Sequence, residues 1–425
     1  MRLAAARHPR RLLLLVFATA TLAACSDAGS GGSGPATAPA YPTTGDPGTA
    51  EWEPVPADRV VEDCGLDPEL LAQADARIGL PWAIVRYGKL CHEFYPEGPQ
   101  QADEVTEIFS TTKTLGAVAT GVAAWQTRDL PTTGRKTGPL SDTDRVDHWL
   151  DEFSFNPDAQ IAHVLAMVAQ NPDLSFGAKQ YSYDVVGKVQ INRLSDVINT
   201  VVAQDPERLG ANIEELTQRF LFEPLGMRRS QWSGGSADKI FAYSWTTTVR
   251  EMARLGLLLE HGGVWSGQRI LGEDWVYKMT HPSFEDANTA YGYLTWLNSA
   301  SNHTQGLGDP KADGLVIDCA PVSVNFQFPH GLSEATDCGY APPYSCAQEK
   351  DVGLWYAAGL FGQYIIGQRA LDLVLVVKDF DPVGGPATLW DIVRPALVAR
   401  DAEFAGNEAA FCDAYARGAY APDLR

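Results

Sequence analysis

The chain lacks the motifs that mark several common classes of enzyme. None of its seven cysteines stands in a Cys-x-x-Cys pair, and no His-x-x-x-His occurs. Because zinc sites in proteins are usually built from such closely spaced ligands, we expect no metal site. There is also no Gly-x-Ser-x-Gly, the sharp turn that carries the nucleophile of α/β-hydrolases. We therefore expect no metal ion, no other cofactor and no α/β-hydrolase fold.

Positive charge is also scarce. Lys and Arg together number 33 against 53 Asp and Glu, which gives a formal net charge of −20. Nucleic acids and anionic lipids attract basic surfaces, so this balance argues against nucleic acid as a partner. The apolar share of 45% is that of an ordinary globular enzyme.

The N-terminus has the pattern of an export signal. Four arginines precede an apolar run over residues 12–22, which ends in a small-residue stretch at Cys25. The run is short for a permanent transmembrane helix, and its order of basic, apolar and small residues is that of a secretory signal. Its ending is similar to the bacterial lipoprotein signal, so we predict a signal peptide over 1–25 with Cys25 lipidated. The alternative is an ordinary signal peptide cut nearby.

The segment after Cys25 is rich in Gly, Ser, Pro, Ala and Thr. Such a composition cannot build a core and behaves as a flexible linker, so we predict a tether over residues 26–57. The folded domain is then predicted over 58–425. These features together predict an exported cell-envelope lipoprotein, held on the outer side of the bacterial cytoplasmic membrane through its lipid anchor.

One stretch of the domain carries a candidate nucleophile and its base. Ser110 and Lys113 stand three residues apart at the start of a predicted helix, and residues at this spacing share a helix face. Residues 115–124 are apolar almost all round, so we expect the helix to be buried. Burial disfavours a charged amine, so Lys113 could take the proton of Ser110. The alternative is that Ser110 only caps the helix and Lys113 is solvated.

The same Ser-x-x-Lys spacing occurs a second time, at Ser236 and Lys239. This copy follows Ser233-Gly234-Gly235, which predicts a loop, and no apolar helix stands behind it. The helix context, and not the spacing, therefore selects Ser110 as the candidate nucleophile.

Strand patterns lie at both ends of the domain, and helix patterns fill the middle. Residues 82–86 and 90–95 are predicted as a hairpin, and residues 363–366 and 371–377 as two adjacent buried strands. Helices are predicted over 67–78, 146–150, 161–168, 185–202, 213–222, 246–259, 273–279 and 389–404. This order predicts an α+β fold, with an antiparallel sheet built from both chain ends, flanking helices, and a helical subdomain inserted over about 127–290.

The cysteines predict disulfide bonds. Six remain besides Cys25, and an even number in an exported protein allows up to three bonds. We favour Cys64 with Cys91 as a local pair. Residues 299–350 are rich in Gly, Pro, Asn and Asp and hold three cysteines, so we predict a disulfide-braced insertion near the site.

Several motifs, taken in order, resemble those of the serine β-lactamase and penicillin-binding-protein superfamily. The similarity is to the branch with class C β-lactamases, D-aminopeptidases, esterases of that fold and 6-aminohexanoate-dimer hydrolases. The matching segments are 110–113, 223–227, 251–256, 265–271, 291–293 and 358–363. The resemblance runs from about residue 58 onward, and it implies a β-lactamase-like fold and acyl-enzyme chemistry.

The resemblance also implies a catalytic tyrosine. Tyr183 matches the tyrosine of the family's Tyr-x-Asn motif and would pass a proton to the leaving group, while Val185 replaces the asparagine. Tyr181 is the alternative. The family's third motif, Lys-Thr-Gly or His-x-Gly, aligns with Ala357-Ala358-Gly359, so its cation is missing.

The same resemblance implies how a substrate would be held. The backbone N–H groups of Ser110 and Leu360 would form an oxyanion hole. Gly359 would let the strand approach the substrate closely. Apart from the resemblance, we expect Tyr181 and Trp296 to line the pocket. Tyr291 is the alternative to Trp296, which would then be a core residue.

The expected activity is hydrolysis of a small-molecule ester, amide or peptide through an acyl-enzyme. One alternative is a D-alanyl-D-alanine carboxypeptidase or β-lactamase, against which the missing cation and asparagine argue. The other is a non-catalytic envelope protein that only binds a ligand, against which the retention of both Ser110 and Lys113 argues.

Overall fold

A six-stranded antiparallel sheet joins the two ends of the folded domain in the computed structural model. The structure describes residues 45–154, 156–169, 185–284, 291–297, 354–381 and 385–397. Its strands are β1 Trp82–Arg86, β2 Lys89–Phe94, β3 Thr106–Glu107, β4 Gln231–Trp232, β5 Gly234–Gly235, β6 Asp238–Lys239, β7 Trp245–Thr247, β8 Val264–Trp265, β9 Gln268–Arg269, β10 Trp296–Leu297, β11 Leu354–Gly359, β12 Gln363–Gln368 and β13 Leu373–Val377.

The strand order of the main sheet is β10-β11-β12-β13-β1-β2. Strands β1 and β13 pair directly, with Trp82 opposite Val377 and Ile84 opposite Leu375. Both strands are buried along their whole length, as expected for central strands covered on both faces. The pairing confirms the predicted α+β fold, in which the sheet is built from both chain ends.

Helices lie before β1, between β2 and β10, and after β13. They are α1 Val60–Cys64, α2 Pro68–Ile78, α3 Thr112–Thr127, α4 Val146–Trp149, α5 Ile161–Leu165, α6 Val185–Val202, α7 Pro206–Leu209, α8 Ile213–Thr217, α9 Glu223–Leu225, α10 Val249–Glu260, α11 Glu273–Thr280 and α12 Gly385–Val393, with a π-helical turn at Gln218–Phe222. The predicted bounds of the inserted subdomain, 127–290, stay a prediction. None of the helices described here is long and apolar enough to cross a membrane.

Helix α3 is buried because its small residues let aromatic rings lie directly on it. A Cβ atom at Gly116 would come within 2.3 Å of the Phe241 ring, and one at Gly121 within 2.5 Å of the Trp275 ring. The Trp275 Nε1–H also donates to the Ala117 carbonyl at 3.0 Å. The predicted burial of this helix is confirmed.

The helix predicted over 246–259 begins later than expected. Thr246 and Thr247 lie in β7, which pairs with β3 and β4, and β-branched residues favour such strands. Helix α10 starts at Val249, and the Thr248 hydroxyl caps it by accepting a hydrogen bond from Glu251 N–H at 3.2 Å. The correction matters for the site, because β7 holds the segment before Ser110.

Cys64 and Cys91 form a disulfide bond that links α1 to β2, which confirms the predicted pair. The predicted insertion over 299–350, with its three cysteines, lies outside the described residues.

Residues 45–57 belong to the folded domain, so the predicted tether over 26–57 is wrong for this part. The Arg254 guanidinium donates to the carbonyls of Gly48 at 2.8 Å and Leu225 at 2.6 Å, and it lies over the Trp52 ring at 5.6 Å. A buried guanidinium requires acceptors, and the backbone of this segment supplies them. Residues 1–44, with Cys25, lie outside the described range.

We expect Gly121→Val to lower the free energy of unfolding by about 1–3 kcal/mol, because its side chain overlaps the Trp275 ring. Urea unfolding followed by tryptophan fluorescence measures the change. Gly134→Val is the matched control, because Gly134 is exposed with open space around its Cβ position. That change should stay within about 0.5 kcal/mol. Equal stability of the two variants would contradict the packing described for α3.

Candidate active site

Ser110 lies in a short 3-10 turn, Phe109–Thr111, directly before α3. Lys113 stands in the first turn of that helix, and its Nζ lies 2.8 Å from Ser110 Oγ. The N-cap position is taken by Thr111, without a capping side-chain bond, so the alternative interpretation of Ser110 as the helix cap is wrong. The structure instead places the hydroxyl against the lysine amine.

The Lys113 side chain is buried, with only 1% of it exposed. Its Nζ also donates to the Ala242 carbonyl at 2.6 Å, and the Ala242 N–H donates to Asn192 Oδ1 on α6 at 3.2 Å. An amine held in this way through one N–H can, when neutral, direct its lone pair at the serine hydroxyl. The geometry therefore suits transfer of the Ser110 proton to Lys113.

The second Ser-x-x-Lys copy has a different geometry. Ser236 is exposed at the turn between β5 and β6, as predicted for a loop. The Lys239 amine points elsewhere: it donates to the Trp232 carbonyl at 2.8 Å and pairs with Glu214 at 3.3 Å. The matching sequence spacing thus produces a serine–lysine contact only where a buried helix follows it.

A third lysine, Lys378, is also buried in the described part of the chain. Its Nζ donates to the carbonyls of Glu104 at 3.1 Å and Thr247 at 2.5 Å, and burial lowers the pKa of Lys378 to about 8. Among the three buried lysines of the described ranges, only Lys113 has a hydrogen bond between its side-chain amine and a serine hydroxyl.

Strand β7 fixes the chain that leads to Ser110. The Thr112 hydroxyl donates to the Phe109 carbonyl at 2.5 Å and accepts from the Trp245 N–H at 2.9 Å. The Ile108 N–H in turn donates to the Trp245 carbonyl at 2.9 Å. The role of Thr112 and Trp245 in holding this turn was not predicted from the sequence. A Ser-x-x-Lys pattern does not indicate which strand binds the two residues between the serine and the lysine.

The end of β11 lies against the same turn. The Thr111 hydroxyl donates to the Gln363 carbonyl at 2.8 Å, and a Cβ atom at Gly359 would come within 2.2 Å of the Ile108 carbonyl. Gly359 was predicted to let the strand approach a substrate. The structure shows why glycine is needed at position 359: any side chain there would overlap the backbone just before Ser110.

Leu360 follows Gly359 at the tip of the β11–β12 connection. The turn is closed by a hydrogen bond from Gly362 N–H to the Gly359 carbonyl at 3.1 Å, a bond that does not use the Leu360 N–H. Leu360 is therefore held beside the Ser110 turn, as the predicted oxyanion hole requires. The assignment of the two N–H groups stays a prediction.

Two alanines occupy the positions where the family's third motif places its cation-bearing residues. Ala357 and Ala358 lie in β11, opposite Ile365 and Tyr364, and both are buried. Their methyl groups point to opposite faces of the sheet, and neither side chain carries a charge.

The remaining predicted residues are only partly placed. Trp296 lies in β10 opposite Tyr356, is 2% exposed and packs edge-on against Tyr291 at 4.5 Å between ring centroids. Its contact with a substrate stays a prediction. Tyr181 and Tyr183 lie outside the described residues.

The sheet, the buried α3 and the Ser110–Lys113 contact together give an α+β fold in which a serine hydroxyl lies against a buried lysine amine. A family model described as Beta-lactamase matches residues 68–378, a range that includes Ser110, Lys113 and Gly359. The match covers most of the chain, so the protein belongs to the beta-lactamase family. Membership implies serine hydrolase activity.

Solved structures of similar fold are distant in sequence. A family VIII carboxylesterase is 12% identical, with 82% of this chain and 99% of that chain covered and a TM-score of 0.50. A beta-lactamase/D-alanine carboxypeptidase from Pseudomonas syringae is 14% identical, with 79% and 98% covered and a TM-score of 0.46. A beta-lactamase from Mycobacterium bovis is 15% identical, with the same coverage and a TM-score of 0.45. The likeness to the carboxylesterase shows the fold alone. No protein with a curated description matched.

Proposed function

We propose that this chain cleaves an ester or amide of a small molecule or peptide through an acyl-enzyme on Ser110. The observation that carries the proposal is the 2.8 Å contact between Ser110 Oγ and Lys113 Nζ at the start of a buried helix. In the first step Ser110 Oγ attacks the scissile carbonyl carbon while Lys113 takes the hydroxyl proton. The N–H groups of Ser110 and Leu360 stabilise the negative charge that develops on the carbonyl oxygen.

The second step releases the leaving group. Tyr183 passes a proton from the lysine to the leaving oxygen or nitrogen as its bond to the carbonyl carbon breaks, which leaves the acyl group on Ser110. A water molecule then attacks the acyl carbon and loses its proton to the same groups. The acid departs and the Ser110 hydroxyl is restored.

We expect Ser110→Ala to abolish covalent labelling by a fluorophosphonate and to abolish ester turnover, because the attacking oxygen is gone. Gel fluorescence after labelling and a 4-nitrophenyl acetate assay measure both. Ser236→Ala is the matched control, since Ser236 has the same spacing to a lysine without the contact. Its labelling and turnover should equal those of the unmodified chain. Equal effects of the two substitutions would rule out Ser110 as the nucleophile.

A preference for uncharged esters follows from the strand edge. A β-lactam or a D-alanyl peptide carries a carboxylate beside its scissile carbonyl, and family members that process such substrates resemble one another in meeting it with a lysine or histidine. Ala357 and Ala358 stand at the matching positions, and Val185 replaces the asparagine that would orient the substrate amide. Binding a charged group without a partner costs about 1–3 kcal/mol or more.

We expect kcat/KM for 4-nitrophenyl acetate to exceed that for a chromogenic cephalosporin by about two orders of magnitude, since about 1.4 kcal/mol corresponds to tenfold in rate. Initial rates for both substrates, each subtracted for the Ser110→Ala variant, give the ratio. A cephalosporin value equal to or above the ester value would mean that a cation from elsewhere, such as Lys311, meets the carboxylate. The chain would then be a β-lactamase or carboxypeptidase.

We further propose that the protein is exported and tethered to the cell envelope through Cys25. The support is the basic, apolar and small-residue order of residues 1–25 and the Gly/Ser/Pro-rich composition of the segment that follows. Mass spectrometry of the mature N-terminus from membrane fractions is expected to find a lipid-modified Cys25. An unmodified chain that begins at another residue would contradict the proposal.

A further inference from the structure

Apolar side chains are exposed beside the nucleophile. Six large apolar residues are exposed in the described part of the chain: Val61, Val105, Tyr243, Tyr277, Leu360 and Phe361. Leu360 and Phe361, at 61% and 53% exposed, are the only two that adjoin in sequence, and they form the turn held against the Ser110 segment. Adjoining exposed apolar residues beside a reactive group are candidates for a ligand-binding surface, unlike exposed apolar residues that are scattered singly.

The Phe361 ring contacts a second phenylalanine across the site. Its centroid lies 5.3 Å from that of Phe109, with the ring planes 76° apart, an edge-to-face arrangement. Phe109 directly precedes Ser110, and Phe361 directly follows Leu360. The two rings therefore lie next in sequence to the nucleophile and to the predicted oxyanion donor, and they contact each other.

Both phenylalanines adopt a backbone conformation that suits glycine better. Their φ angles are +47° at Phe109 and +63° at Phe361, in the left-handed region that bulky residues rarely occupy. Phe361 also stands third in the 359–362 turn, where glycine or asparagine is preferred when φ is positive. Residues with a strained backbone conformation persist where the surrounding structure holds them in place. They cluster at active sites and ligand-binding sites.

Internal packing alone does not account for Phe361. A ring that served only the core would be buried, whereas about half of this side chain faces solvent. The surface formed by Phe109, Leu360 and Phe361 is here called the aromatic rim.

We propose that the aromatic rim binds an apolar, uncharged group of the substrate beside the scissile bond, and that Phe361 is the residue that determines this specificity. The inference rests on the proposed function, in which Ser110 is the nucleophile, and it names the substrate class as esters or amides with an alkyl or aryl acyl group. The physical reason is that an apolar group laid on the rim removes both its own surface and that of Phe361 from water.

Chain-length selectivity tests the role of Phe361. The measured quantity is the ratio of kcat/KM for 4-nitrophenyl hexanoate to that for 4-nitrophenyl acetate. Phe361→Gly should lower this ratio about tenfold, the factor that corresponds to about 1.4 kcal/mol of lost apolar contact. Phe361→Leu should restore most of the ratio. Glycine relieves the strain of the positive φ at position 361, which offsets the loss of the Phe109 ring contact and the greater entropy of the unfolded chain. Phe361→Gly should therefore unfold within a few degrees of the unmodified chain, and thermal unfolding of both proteins shows that lost folding does not imitate the effect.

Tyr277→Ala is the matched control for this experiment. Tyr277 is a comparably exposed aromatic residue, at 47%, but it lies on α11 and stacks on His281. Its removal should leave the ratio unchanged. A ratio that does not move in Phe361→Gly, or a fall in both esters by the same factor, would overturn the proposal, because the ring would then have a structural role only.

A binding measurement separates this inference from the proposed function. N-(4-nitrophenyl)hexanamide is titrated calorimetrically into Ser110→Ala, with and without Phe361→Gly, and compared with the acetamide analogue. Binding needs no acylation, so the result holds whatever Ser110 does. The inference expects tighter binding of the hexanamide and about tenfold loss of that affinity with Phe361→Gly. Equal affinities for the hexanamide and the acetamide would contradict the proposed role of the aromatic rim. Failure of the proposed function would instead appear as unchanged fluorophosphonate labelling in Ser110→Ala.

Discussion

The contact between Ser110 and Lys113 depends on the burial of α3, and the rest of the site is arranged around that constraint. A lysine amine is strongly hydrated, so a buried one needs polar partners inside the protein. Ser110 and the Ala242 carbonyl are two such partners. Helix α6 holds that carbonyl in place, because Asn192 accepts the Ala242 N–H. The small residues of α3 make the burial possible, since they admit aromatic rings where larger side chains would hold other elements away.

Three separate parts of the chain meet at the Ser110 turn, and side chains bonded to backbone groups join them. Thr112 bonds to β7 and Thr111 bonds to the start of β12, so the residues between the motif's serine and lysine hold Ser110 in place. Gly359 lets the end of β11 close on the same turn. Such bonds hold the backbone of the turn in place, and two phenylalanines persist there with positive φ.

Much of the fold could be predicted because its signals are local. Two strand-like runs joined by turn residues predicted the β1–β2 hairpin, and helix patterns predicted α3 and α6. The prediction failed where a tertiary partner decided the outcome. Thr246 and Thr247 stand beside a helix pattern but pair with two other strands, and residues 45–57 have a linker-like composition but supply acceptors to a buried arginine.

The sequence by itself determined the sheet built from two chain ends, the Ser110–Lys113 pair and the choice of Ser110 over Ser236, because spacing and apolar context are local properties of a chain. Only the tertiary structure decided what surrounds that pair. The carbonyl that holds Lys113, the strand that holds Thr112, and the meeting of Phe109 with Phe361 all join residues far apart in sequence. Contacts of this kind leave no periodic pattern, because each depends on how separate elements pack and not on the order of residues within one of them.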